Sequence, residues 1–167
     1  MGLLSKIFPS EYVEDIYSIS YNQLYQKGIR VLIFDIDNTL VPHGKEATCR
    51  VKDFFDILKQ DGFTIILLSN NGLDRVSKFA ESVSCEFIHD AGKPSSIAFK
   101  KVFDKLKCDR LKTVMIGDTL FTDIWGANRC GIHTIMVKYI GYYKKEWKGY
   151  KRILEKFILS LQPLFSS

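Results

Sequence analysis

Val31-Leu32-Ile33-Phe34-Asp35-Ile36-Asp37-Asn38-Thr39-Leu40 begins as an apolar, β-rich run and turns polar without a break. A continuous apolar run of this length reads as a strand buried on both faces, as in the middle of a parallel sheet. Asp35 and Asp37 fall where that strand ends, and Asn38 and Thr39 begin a turn. In open α/β sheets the ligand crevice lies beyond the carboxyl ends of the strands. Two carboxylates there are costly to bury unpaired, so they call for a metal, a cation or water.

The rest of the chain repeats the pattern. Val51, Phe54, Phe55 and Leu58 mark one face of a helix over about 50–60, ended by Asp61-Gly62. A second strand, 63–68, runs straight into Ser69-Asn70-Asn71-Gly72. A helix over about 74–83 follows, then a short strand, 85–88, which leads into His89-Asp90-Ala91-Gly92-Lys93-Pro94. Ser95 is placed to cap a helix over about 96–106. A strand at 113–116 meets Gly117-Asp118-Thr119-Leu120-Phe121-Thr122-Asp123, a helix spans about 123–129, and a fifth strand spans 133–137. Such alternation predicts an α/β fold of three layers, Rossmann-like, with a central parallel sheet of about five strands.

The chain of 167 residues is 46% hydrophobic and 26% charged, as expected of one soluble globular domain spanning 1–167. No apolar run reaches the roughly 20 residues of a membrane-spanning helix, and no signal-peptide pattern opens the chain. Met1-Gly2-Leu3-Leu4-Ser5-Lys6 is a false match to a myristoylation site, because lysine stands where serine or threonine is needed. Cys49, Cys85, Cys108 and Cys130 are too far apart for a CxxC pair and read as buried free thiols of a cytoplasmic protein.

The termini leave alternatives open. Residues 1–27 carry Leu3, Leu4, Ile7, Phe8, Tyr12, Val13, Ile16 and Tyr17 at helical spacing, broken by Pro9. They read as a helical arm packed on the domain or as an interfacial arm on a membrane. The net charge of +5 is concentrated at 138–156, which holds seven basic residues (Lys138, Lys144, Lys145, Lys148, Lys151, Arg152, Lys156) against Glu146 and Glu155. Ile153, Leu154, Phe157, Ile158 and Leu161 form an apolar stripe in the same basic amphipathic segment, 138–167. With Trp147 and Tyr150 nearby, the segment suits either a solvated face of a packed helix or an anionic membrane surface.

Four expected strand ends thus carry Asp35/Asp37, Ser69, Lys93 and Asp118/Asp123. In order, Asp-x-Asp-x-Thr-Leu, a hydrophobic strand into Ser-Asn, Gly-Lys-Pro and Gly-Asp-x-x-x-x-Asp resemble the four motifs of the haloacid dehalogenase (HAD) phosphohydrolases over about residues 30–137. The resemblance implies that Asp35 is the nucleophile that forms an aspartyl-phosphate. It implies that Asp37 protonates the leaving alcohol and then activates water, with the adjacent charges and a metal holding one proton on it. Mg²⁺ is the implied cofactor, on the Asp35 carboxylate, the Asp37 backbone carbonyl and Asp118, with Asp123 reaching it through water or positioning Lys93. Ser69 and the following amide, with Asn70, are implied to bind the phosphoryl group, Lys93 to neutralise it, and Thr39 to orient the loop. His43, just past the first motif, and His89, before the lysine loop, have no partner at metal-ligand spacing. His133 starts a strand. All three read as structural or exposed, with His43 close enough to the first motif to touch substrate.

Cap domains of the family insert after the first motif or between the second and third. About ten residues separate Leu40 from the next helix, and Ser69 and Lys93 are 24 positions apart. Neither gap holds a cap, so the site should be open to a phosphate displayed on something large. This resembles the capless subclass IIIA and, in the N-terminal arm and the Gly-Lys-Pro loop, the YqeG-type branch. Characterised relatives of that branch include phosphatidylglycerophosphate phosphatases. The resemblance implies a Mg²⁺-dependent phosphatase of that lipid, cytoplasmic or peripheral on the inner face of a membrane. A soluble sugar phosphate or nucleotide is the alternative substrate. A non-catalytic binding module for nucleic acid or protein is the alternative class, although every catalytic position is filled with a competent residue.

Overall fold

Six strands, β1 (Glu11–Val13), β2 (Val31–Phe34), β3 (Thr64–Leu68), β4 (Glu86–Ile88), β5 (Thr113–Gly117) and β6 (His133–Val137), form one sheet. Every pairing is parallel, in the order β1-β6-β5-β2-β3-β4. The structure is a computed structural model. It describes residues 6–140 and 149–161, with the side chains at 150–152 and 156 left aside. Leu3 and Leu4 of the expected arm, and Lys144, Lys145, Trp147 and Lys148 of the basic segment, lie outside the described residues.

The apolar run around Phe34 forms the buried centre of the sheet because both of its faces are covered. Leu32 and Phe34 pack with Ile65, Leu67, Val114 and Ile116. That side is closed by α1 (Tyr21–Gln26), α2 (Cys49–Gln60) and α3 (Leu73–Ser82), through residues such as Leu24, Phe55 and Phe79. Val31 and Ile33 face the other way, with Ile66, Leu68 and Met115, against α4 (Ser96–Leu106) and α5 (Trp125–Arg129). Alternate residues of one strand thus supply two cores, the three-layer arrangement expected. No domain is inserted after Leu40 or between Ser69 and Lys93, where only α3 and β4 lie.

The strand order reverses at β2. The chain steps outward from β2 to β3 and β4, then returns to place β5 on the opposite flank of β2. That switch point is where an open α/β sheet leaves a crevice at its carboxyl edge.

The N-terminal segment departs from the expected helical arm. Glu11–Val13 is a strand, in register with Ile135–Val137 of β6. Tyr12 and Val13 are aromatic and β-branched, and the edge of β6 offers backbone partners that a helix could not use. Asp15 then caps a short 3₁₀ turn, Ile16–Ser18, accepting from the Tyr17 and Ser18 amides at 3.0 and 2.8 Å. The segment adds a sixth strand to the five expected. Cys49 is exposed and the other three cysteines are half-buried, so the expectation of uniformly buried thiols fails. All four are free.

Candidate active site

Asp35 follows the last residue of β2, and its N–H donates to the Ile116 carbonyl at 3.0 Å, which fixes its backbone against β5. Lys93 arrives from the loop after β4 with its side chain 2% exposed. Its Nζ donates to Asp35 Oδ1 at 2.7 Å and to Asp123 Oδ1 at 2.6 Å. Burial disfavours the Lys93 charge, but Asp123 and Asp35 outweigh it and hold the ammonium above the ordinary lysine value. Burial pushes the Asp35 carboxyl up to about 7; Lys93 pulls it down, while Asp123 and Asp118 add to the rise.

Two further carboxylates complete the cluster. Asp118 follows β5, and its Oδ1 accepts from the Thr39 hydroxyl at 3.3 Å and the Thr119 hydroxyl at 3.4 Å. Asp123 sits in a π-helical turn, Leu120–Ile124, that leads into α5, so the expected 123–129 helix is a wide turn followed by a short α-helix. Its Oδ2 accepts from the Thr119 amide at 3.1 Å. A Cβ on Gly117 would stand 2.6 Å from the Asp123 side chain, so only glycine lets that carboxylate in. Gly126 does the same for the lysine loop, since its Cβ would lie 2.9 Å from the Phe99 ring and 3.1 Å from Pro94 Cα.

Ser69 and Asn70 close the other side. Ser69 is 1% exposed, and its Oγ accepts from the Asn71 amide at 3.2 Å and the Asn71 side chain at 3.1 Å. The Asn70 side chain grips the Lys93 backbone twice, with Oδ1 accepting its N–H at 2.8 Å and Nδ2 donating to its carbonyl at 3.1 Å. Asn70 therefore holds the lysine loop with the amide that was expected to face phosphate.

Asp37 stands apart from this cluster. Its Oδ1 accepts from the Gly44 amide at 2.8 Å and from Arg75 Nη2 at 3.1 Å, and its Oδ2 accepts from Asn71 Nδ2. Burial pushes its proton affinity up. The bonds from Gly44, Arg75 and Asn71, with the Arg75 charge, outweigh burial and leave the carboxyl below its ordinary value. The expectation of a proton held on Asp37 is thus reversed, because its neighbours are donors rather than carboxylates. His43 Nδ1 lies 3.7 Å from Asp37 Oδ2 on a side chain that is 65% exposed. His89 pairs with its neighbour Asp90 at 2.7 Å, and His133 with Glu11 at 3.1 Å.

Arg75 and Asn71 were missed by sequence reasoning. Arg75 lies in the first turn of α3 and also donates to the Lys45 carbonyl at 2.6 Å, tying α3 to the loop before α2. The signal available was position: a helix that begins directly after Ser69 aims its first turn at the same crevice.

Carboxylate oxygens of Asp35, Asp118 and Asp123 lie within 4.8 Å of one another. Three carboxylates against one ammonium leave negative charge that a hard divalent cation would offset, and the donors are all oxygen, which fits Mg²⁺. The arrangement places the Asp35 carboxylate beside a buried cation, with a second carboxylate, that of Asp37, within the same loop.

Residues 90–159 match the family described as "HAD-hyrolase-like". The chain is 35% identical over 160 residues to "Probable phosphatase YqeG" of Bacillus subtilis (strain 168), covering 95% of this chain and 93% of that one. It is 25% identical over 146 residues to "Glyceraldehyde 3-phosphate phosphatase" of Pyrococcus furiosus, covering 83% of this chain and 60% of the relative. It is 29% identical over 149 residues to "Phosphatidylglycerophosphate phosphatase 1, chloroplastic/mitochondrial" of Arabidopsis thaliana, covering 79% of this chain and 41% of the relative. With a parallel sheet that brings the four motif loops to one edge, and a relative matched along nearly its whole length, the chain belongs to the HAD-like phosphatases of the YqeG type.

Proposed function

We propose that this phosphatase hydrolyses a lipid-borne phosphate monoester, phosphatidylglycerophosphate, with Mg²⁺ as cofactor and Asp35 as nucleophile. The observation that carries the reading is the Asp35 carboxylate at the open end of β2, 2.7 Å from the buried Lys93 ammonium and without a cap over it. Asp35, Asp118, Asp123 and the Asp37 carbonyl would hold the metal. When bound, Mg²⁺ supplies Lewis-acid neutralisation of the phosphate and of the attacking carboxylate.

The chain's own groups account for the rest. Lys93 offsets one charge of the incoming dianion, and Ser69 with the backbone that follows it binds a phosphoryl oxygen. An Asp35 oxygen attacks phosphorus, the bond from phosphorus to the alcohol oxygen breaks, and that oxygen takes a proton from Asp37. In the second half Asp37 removes a proton from water, the water oxygen attacks phosphorus, and the bond to Asp35 breaks to release inorganic phosphate. Asp37 is ionised at rest, which suits the base half of the cycle; the arriving dianion raises its proton affinity for the acid half.

An open site supports a substrate displayed on a surface, and the Arabidopsis relative is named for that lipid. A soluble phosphate ester is the second reading, favoured by the Pyrococcus relative's name. Phosphate release should be measured from vesicles bearing phosphatidylglycerophosphate and from a panel of soluble esters, with and without EDTA, beside Asp35→Asn. EDTA-sensitive release from the lipid that Asp35→Asn abolishes is the expected result. Release confined to the soluble esters overturns the lipid assignment.

A further inference from the structure

The C-terminal helix α6 (Gly149–Ser160) packs with its buried acid, Glu155, inward and with Ile153, Leu154 and Phe157 outward. Glu155 is 3% exposed, and its Oε1 accepts the Leu120 N–H at 3.1 Å. Ile158 and Leu159 lie against Leu120, Ile124 and Met136. Ile153, Leu154 and Phe157 are left 70%, 47% and 61% exposed. Phe157 is four positions from Ile153 and three from Leu154, so it lies beside both and joins the three into a single apolar face.

The anchoring point matters. Leu120 opens the π turn that holds Asp123 and begins two residues after Asp118, so α6 is bonded to the loop that carries two of the site's carboxylates. Ile140, 40% exposed, lies at the same end, its N–H donating to the carbonyl of Asn38 at 3.2 Å. The helix that carries the apolar face is thus fixed to a loop at the rim of the crevice. Charge singles out the same segment: 138–156 carries seven bases and two acids, and the rest of the chain sums to zero. Turning Glu155 inward removes one of those two acids from the surface. Exposed apolar side chains within a basic segment are what an anionic bilayer recognises.

We propose that the exposed face of α6 docks on an anionic lipid bilayer and so sets the open site against the headgroups. The proposal rests on the reading of the site as one that takes a lipid phosphate, but its test does not use turnover. The full chain is sedimented with vesicles of phosphatidylcholine, with and without phosphatidylglycerol. Binding to the phosphatidylglycerol vesicles alone, weakened by high salt, is expected. Ile153→Ser combined with Phe157→Ser should lower that binding by at least about tenfold with an unchanged thermal midpoint. Leu111→Ser, which alters an equally exposed side chain just before the start of β5, should bind as the wild type does. A wild type that ignores anionic vesicles, a double variant that binds normally, or an equal loss in Leu111→Ser each overturns the proposal. So does a wild type that is dimeric, with a monomeric double variant, and does not bind vesicles, because the face then belongs to a second copy. Vesicle binding by a protein that releases no phosphate from any ester sinks the phosphatase assignment and leaves the surface standing.

Discussion

The Arg75 guanidinium lies 3.1 Å from the Asp37 carboxylate and fixes it from outside the four sequence motifs. If Arg75 aims Asp37 at the leaving oxygen, its loss should depend on how badly that oxygen needs a proton. Arg75→Gln should lower kcat/KM for an alkyl phosphate by about 10²-fold, within the range of general acid catalysis. For p-nitrophenyl phosphate, whose leaving group departs unprotonated, kcat/KM should stay within about threefold, and Arg75→Lys should fall between. An equal loss on both esters would reduce Arg75 to a structural tie.

Burial and the neighbouring carboxylates hold the Asp35 carboxyl up at about 7, above its ordinary value. A carboxyl with a raised folded value disfavours folding as pH rises: nothing below the unfolded value, full above the folded one. Asp35→Asn should therefore stabilise the metal-free protein at pH 8, and the gain should vanish near pH 4. Lys93 keeps Asp123 as a partner, so the gain is not cancelled. Melting curves should show a rise of a few degrees, about 1–2 kcal/mol. Added Mg²⁺ should raise the wild-type midpoint and leave that of the variant nearly still. A destabilised Asp35→Asn at pH 8 would contradict the cost of burying this carboxylate in its ionised form.

Gly117→Ala places a methyl group in the space held by the Asp123 side chain. Asp123 must then withdraw from Lys93 and from the acidic cluster. Mg²⁺ affinity, measured by calorimetry, should drop at least tenfold and kcat about 10²-fold, in line with the 10–100-fold cost of disturbing a ligand's support. Unaltered metal binding would mean that Asp123 is dispensable to the site.

Much of this was legible because the chemistry sits at strand ends. Strands β2, β3 and β5 are near-continuous apolar runs that each stop at a loop of the site, and the lysine loop follows the short β4. Strand β1 was hidden because three residues on a sheet edge pair through backbone, while Tyr12, Val13, Ile16 and Tyr17 also fit helical spacing. Arg75 was hidden because an arginine on a polar helix is commonplace until the tertiary fold aims it. The stripe in α6 was read as one face, but Glu155 takes the inward position and divides it: Ile158 goes in with the acid, while Ile153 and Phe157 stay out.

The two bonds from the Asn70 side chain to the Lys93 backbone bear on recognition. They make the serine loop and the lysine loop one rigid jaw, whose gape is set before any ligand arrives. Aspartate there would lack the donor, and serine would lack the reach. With Ser69 and Lys93 in the phosphate-binding roles proposed above, a jaw of fixed gape would grip every phosphate monoester in the same way. Discrimination between esters then falls to whatever the rest of the molecule rests against.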